Sequence, residues 1–215
     1  MKKLSLIDVS AIIVWLLPLG YLVYIYPTLP STIALHYNLQ GKVDNYGPKS
    51  TFLVVQFILL GVAALVYLLL RFIPGIDPKK NLKYSVNTFQ KVGLGIVVFI
   101  AALTIIIIYA TAHHGVNIDR FVFPVVGLLF IFMGNVMYSI KPNYFVGIRT
   151  PWTLENEDTW RATHMLAGKL WFAGGIILTV LMLLLSSPAN FITFLSITVI
   201  LAVVPIVFSY RYFKG

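Results

Sequence analysis

The residues with the most chemistry in this sequence are crowded into 141–171, KPNYFVGIRTPWTLENEDTWRATHMLAGKLW. Three acids, four bases, three tryptophans and one histidine fall there, between long apolar stretches. Arg149 stands next to Ile148 in a Gly-Ile-Arg-Thr-Pro-Trp turn. Its charge needs a defined acceptor, either Glu155, Glu157, Asp158 or the free carbonyls of a helix end. Trp152 and Trp160 can stack near the guanidinium or mark the lipid interface. His164 beside Glu157 or Asp158 could serve as a base, but no nucleophile accompanies it. Recognition suits these residues better than catalysis. The expectation is one constellation of Arg149, Trp152, Trp160 and His164, with the 147–152 turn folded back on the helix that follows. The plainer alternative is a connector with aromatic anchors.

A helix must position these groups. Thr153 is a candidate N-cap, and Glu155, Glu157 and Asp158 then occupy the first turns, where the helix dipole favours negative charge. Glu157 and Arg161 are spaced i,i+4, which favours an ion pair. Leu154, Trp160, His164 and Ala167 share one side of such a helix, which predicts an amphipathic segment lying along a membrane surface.

A second set of polar residues lies in 27–50, PTLPSTIALHYNLQGKVDNYGPKS. Pro27, Pro30 and Pro48 restrict this loop, and Gly41 and Gly47 permit tight turns. Residues 31–37 favour strand, and Gln40-Gly41 can turn them into a short hairpin. The expected result is an ordered loop folded against the spans around His36, Asn38, Asp44 and Tyr46, with Asp44 bonded to loop amides or to His36. His113 and His114 are adjacent, so on a helix they point about 100° apart and chelate poorly. A metal there needs further ligands such as His36 or Asp119, and no metal or other cofactor is expected.

Catalytic signatures are missing. There is no His-Glu-x-x-His, no Gly-x-Ser-x-Gly and no Gly-x-x-x-x-Gly-Lys in the chain. Without cysteine there is no disulfide and no thiol nucleophile. All seven acids sit at span ends or in loops, whereas coupled transporters usually keep charge near the midplane. Gln56, Thr104 and Asn135 are the conspicuous polar residues inside spans, and interhelical hydrogen bonds are their expected use.

Composition sets the class. The chain of 215 residues is 59% hydrophobic and 11% charged, against about 25% charged for soluble domains. This is the balance of an all-α polytopic membrane protein, a single membrane domain over 1–215. Six apolar windows of spanning length fall at 9–26, 51–72, 92–110, 121–140, 170–185 and 191–210. The fifth is short unless the preceding helix feeds into it through Met165 and Leu166. Pro18, Pro124 and Pro205 kink or start helices, and Pro74-Gly75 and Asp77-Pro78 stop the second. Residues 81–90 are expected to form a surface helix. The basic, apolar start lacks a small-residue cleavage motif and reads as a retained first span.

The bases orient the spans. With the N-terminus inside, thirteen Lys and Arg face the cytoplasm and three, Lys42, Lys49 and Arg120, face out. Both termini are then cytoplasmic. The net charge of +9 faces anionic lipid. Because the bases are spread over short loops at the membrane edge, no direct nucleic-acid binding is expected.

Two motifs resemble a known family. Asn143, Tyr144, Gly147, Ile148, Arg149, Thr150, Pro151, Trp152, Thr153, Trp160, Thr163, His164 and Gly168 resemble the C-terminal motif of the SdpI family of bacterial multi-pass membrane proteins, which places an SdpI-like region over 119–210. Leu29, Pro30, Ile33, His36, Tyr37, Asn38, Gly41, Asp44, Tyr46 and Gly47 resemble the small domain that commonly precedes it, here with the first span in 1–50. The resemblance implies immunity in the bacterial plasma membrane against a secreted antimicrobial toxin. It also implies two candidate partners, an extracellular peptide toxin and a cytoplasmic repressor held at the membrane. A membrane transport or small-ligand-binding protein is the alternative.

Overall fold

The computed structural model describes residues 4–38, 43–76, 86–113 and 116–215. Six helices in it are long and apolar enough to cross a membrane. In chain order the elements are α1 Leu6–Ile25, strands β1 Thr32–Tyr37 and β2 Val43–Pro48, α2 Lys49–Ile76, α3 Val86–Ala112, α4 Asp119–Met137, the short α5 Pro151–Glu155, α6 Glu157–Leu184 and α7 Ala189–Lys214. The protein is an all-α multi-pass membrane protein with a minor two-stranded sheet.

Alternating crossings put the start of α1, the end of α2, the start of α3, residues 138–156 and the C-terminus at one end of the bundle. The hairpin is at the other end. Contacts divide the helices into two halves, α1–α3 with the hairpin and α4–α7, joined chiefly through α3 and α4. Within the second half α4 and α6 form the most extensive helix pair. Glycine makes this possible. A Cβ added at Gly168 falls 2.7 Å from the Tyr138 ring, and one added at Gly175 falls 2.7 Å from the Gly127 carbonyl oxygen. Gly127 and Gly134 on α4 face Gly175 and Gly168 on α6, each pair seven residues apart, so backbone meets backbone where lipid supplies no hydrophobic drive for association.

Three places differ from the sequence reading. The amphipathic surface helix is not separate: α6 runs unbroken for 28 residues from Glu157 through the fifth span. Leu154 belongs to α5 and is exposed, while Trp160, His164 and Ala167 face the core. Pro74 lies inside α2, which continues to Ile76, and Asp77-Pro78 lies outside the described residues. Of the proposed surface helix at 81–90, residues 86–90 form the first turn of α3, and 81–85 lie outside the described residues.

The polar residues within the spans also depart from expectation. Thr104 donates to Ile100 O of its own helix at 2.8 Å, and Asn135 is exposed. Gln56 is fully buried, yet neither amide atom has a hydrogen-bond partner among the described residues.

Candidate functional site

The 141–156 segment is built turn by turn. Asn143 is buried and holds the first turn with its whole amide. Its Nδ2 donates to Lys141 O at 2.8 Å and Val146 O at 2.9 Å, and its Oδ1 accepts from Phe145 N and Val146 N, both at 2.7 Å. Gly147 follows with φ +115°, a conformation that side chains rarely adopt. A Cβ there would run into His164 Nε2 and come within 3.2 Å of the Trp160 ring. The turn is therefore folded back on α6.

His164 receives that turn. Ile148 N donates to its Nε2 at 3.1 Å. With Nε2 accepting, the ring proton sits on Nδ1, which donates to Trp160 O at 2.8 Å. The ring stacks on Trp160, centroids 4.1 Å apart, and the Trp160 indole N–H donates to Ile140 O at 2.9 Å. Both histidine nitrogens are thus committed to backbone, and His164 does not pair with Glu157 or Asp158 as a base. Val146 and Ile148 pack into a core that also holds Leu70, Phe89, Val92, Met137 and Trp160. The segment thereby touches both halves of the bundle.

Two caps then start the helices. Thr150, not Thr153, caps α5: its Oγ1 accepts from Thr153 N at 3.3 Å, and Thr153 Oγ1 accepts from Thr150 N at 2.9 Å. Pro151 is at the first helical position, where its missing N–H costs nothing. Asn156 caps α6 by accepting from Thr159 N at 2.8 Å. Ser209 of α7 closes the far side. It lies 3.3 Å from Thr150 Oγ1 and accepts the Trp152 indole N–H, while the Trp152 ring leans on Tyr210.

The charges lie outside this frame. Arg149 is exposed, and its guanidinium donates to the Tyr144 carbonyl within the same loop, not to Glu155, Glu157 or Asp158. Among the described residues no ion pair joins Glu157 to Arg161. Asn143, Gly147, Thr150, Trp160 and His164 thus build the frame, with Thr150 and Trp152 tying it to α7 and Pro151 opening α5. Arg149 and the acids form its exposed rim.

At the other end, β1 and β2 pair antiparallel with an irregular register near His36. Leu29 and Ile33 are buried with Leu22, Phe52 and Ile108, which seats the hairpin on α1, α2 and α3. His36 Nδ1 and Asp44 Oδ1 are 2.6 Å apart, but both residues are exposed, as is Tyr46. The expected polar cluster is therefore the hairpin's outer face, and apolar Leu29 and Ile33 make the packing. Asn38 is half-buried, and the Gln40-Gly41 turn lies outside the described residues. His113 Nδ1 is 2.9 Å from Tyr109 O and its ring stacks on Tyr109. Asp119 accepts from Asn190, and His114 lies outside the described residues. No group of three or more metal-ligating side chains is assembled among the described residues.

Sequence reasoning missed a buried polar node at the same end as the 141–156 segment. Asp8 is 1% exposed. It accepts from Ser5 N at 2.8 Å, Tyr67 Oη at 2.7 Å and Gln90 Nε2 at 3.3 Å, and pairs with Arg71 at 3.1 Å. Ser5-x-x-Asp8 is visible as a capping box, and Tyr67 and Arg71 are spaced i,i+4. Nothing local links the two.

Comparison with known proteins agrees with this division. Residues 139–209 match the SdpI/YfhL protein family. Residues 13–62, holding most of α1, the hairpin and the start of α2, match a domain of unknown function (DUF1648). A protein of Bacillus subtilis (strain 168) named "Immunity protein SdpI" is 27% identical over 215 residues, covering 100% of this chain and 97% of the relative. The chain is thus similar to the SdpI family through its C-terminal third and to this relative along its whole length. The matched region begins just after α4 and ends at Ser209 within α7, so it contains the frame around His164 and its tie to Ser209. No solved structure matches the chain.

Proposed function

We propose that this protein is a plasma-membrane immunity protein that protects a bacterial cell from a secreted antimicrobial toxin. The observation that carries this reading is the full-length likeness to a protein named for immunity, which takes in both the hairpin and the His164 frame. The thirteen-to-three split of bases supports an orientation with both termini and the frame in the cytoplasm and the hairpin outside. We read the chain as a binding protein, not an enzyme, with no cofactor.

Helix α2 gives this reading a physical route. Phe52 shares a buried cluster with Leu29 and Ile33, and Leu70 on the same helix belongs to the cluster against which Val146 and Ile148 pack. Eighteen residues of helix span roughly 27 Å. A toxin that shifts the hairpin displaces the outer end of α2, and the inner end moves against the frame. The exposed rim of Arg149, Glu155 and Asp158 is then the surface offered to a cytoplasmic repressor.

Expression in a toxin-sensitive strain that lacks its own immunity gene tests the proposal. The expected result is survival at toxin doses that kill the vector control. Ile33→Asp, which unseats the hairpin, should remove survival at equal membrane levels. Killing at the control dose despite full expression would refute it, and solute flux in liposomes would favour a transporter instead.

A further inference from the structure

Beside the frame, between the end of α4 and the first two turns of α6, lies a cavity of about 530 Å³. That volume falls in the range of small-molecule sites, roughly 300–1,000 Å³. Its lining is graded along the bundle axis. Lys141, from the loop after α4, and Glu157 and Arg161, in the first two turns of α6, line it toward the bundle end. Tyr138 and Met165 line it deeper in the span, and both are about half exposed. The Tyr138 ring rests on bare backbone at Gly168, where an added Cβ would come within 2.7 Å of it.

We infer that this cavity binds the phosphate of an anionic phospholipid from the adjoining leaflet. Lys141 and Arg161 hold the phosphate, and an acyl chain leaves past Tyr138 and Met165. Cations toward water with apolar surface below reproduce the profile of a lipid at the interface. The two bases come from different elements and converge on one concavity, unlike bases spread along a loop. The aromatic ring nitrogens in the lining are already committed. The Trp160 indole N–H and both His164 nitrogens are already bonded to backbone or receive a backbone N–H. Recognition of charge therefore falls to the rim. Glu157 opposes it there, which sets the affinity below that of a pure cation pair. The inference does not depend on the immunity role.

The full chain in nanodiscs of neutral phosphatidylcholine, titrated with spin-labelled phosphatidylglycerol, tests it. Saturable binding is expected, weakened about tenfold by Lys141→Gln or Arg161→Gln, as for a lost charge-assisted contact. Glu157→Gln should strengthen it. Lys91→Gln and Lys214→Gln remove the same charge elsewhere and should change it less than about twofold. Thermal melts confirm that each variant is folded, and Arg161→Lys should retain binding where Arg161→Gln has lost it. Equal weakening by all four charge-removing variants, or none by the first two, overturns the site in favour of diffuse attraction. Displacement of the label by inorganic phosphate or glycerol phosphate at millimolar concentration overturns the lipid in favour of a soluble phosphate.

Discussion

The backbone N–H of Ile148 donates to Nε2 of His164 at 3.1 Å, joining residues sixteen apart in the chain. One bond thus fixes both the ring tautomer and the place of the turn that bears Arg149. His164→Phe keeps the ring stacked on Trp160 but leaves the Ile148 N–H without its acceptor. The expected loss is about 1–3 kcal/mol, the penalty of a stranded donor. Melting of the purified variant, with tryptophan fluorescence as a second readout, measures it. An unchanged melt would mean that the bond is not made in the membrane.

Gly147→Ala attacks the same contact from the other side. The residue sits at φ +115°, and its new methyl group meets the His164 ring. Strain of this kind costs about 1–3 kcal/mol. The six spans should persist by circular dichroism while the Trp160 environment changes. A crystal-like thermal profile identical to the parent's would show that the turn does not rest on His164.

Asp8 and Arg71 should behave as a coupled pair. Asp8→Ala leaves Arg71, which is 18% exposed in its side chain, without its carboxylate. Breaking such a pair by removing one partner costs about 3–5 kcal/mol, whereas removing both costs less. The double variant Asp8→Ala with Arg71→Met should therefore melt above Asp8→Ala alone. Additive losses would show that the two charges do not interact.

The glycine seam predicts a local defect with no charge involved. Gly134→Leu places a side chain where α4 and α6 share backbone contact at Phe172 and Gly168. Overpacking of this sort costs at least about 1–3 kcal/mol. Cross-linking between introduced cysteines on α4 and α6 should fall, while that between α1 and α3 stays. Equal cross-linking in both halves would contradict the seam.

Orientation is open to direct labelling, because the chain has no cysteine of its own. Single cysteines at Asn45, Asn117 and Ala189 should react with an impermeant maleimide added to intact cells. One at Asn156 should react after lysis alone. Labelling at Asn156 from outside would reverse the assigned orientation.

How much of this was legible in the sequence depends on the range of the interaction. The six spans follow from uninterrupted apolar length, and each of the six was present in the sequence reading. The unbroken α6 was legible only as the condition that a preceding helix feed the short fifth span through Met165 and Leu166. Arg161, His164 and Lys169 dilute its hydropathy, although His164 is satisfied inside the protein and the two bases are exposed. The α5 cap was misplaced by three residues between two threonines, and Pro151, a residue suited to the first helical position, was the discriminating signal. Asn143, Ser209 and Asp8 carry partners set by packing between distant segments. Asp8 meets Tyr67 across 59 residues and Gln90 across 82, and no periodicity reports such distances.

Those separations also have a meaning in time. A ribosome adds about 5–20 residues per second, so Asp8 enters the bilayer edge with only Ser5 to hold it and waits roughly 3–12 seconds for Tyr67 and Arg71 to follow. Gln90 comes later still, after α2 has crossed. Throughout that interval the first helix carries Asp8 without its cation, Arg71. Arrival of α2 and α3 supplies the remaining partners, so the node is complete only when the first half of the bundle is.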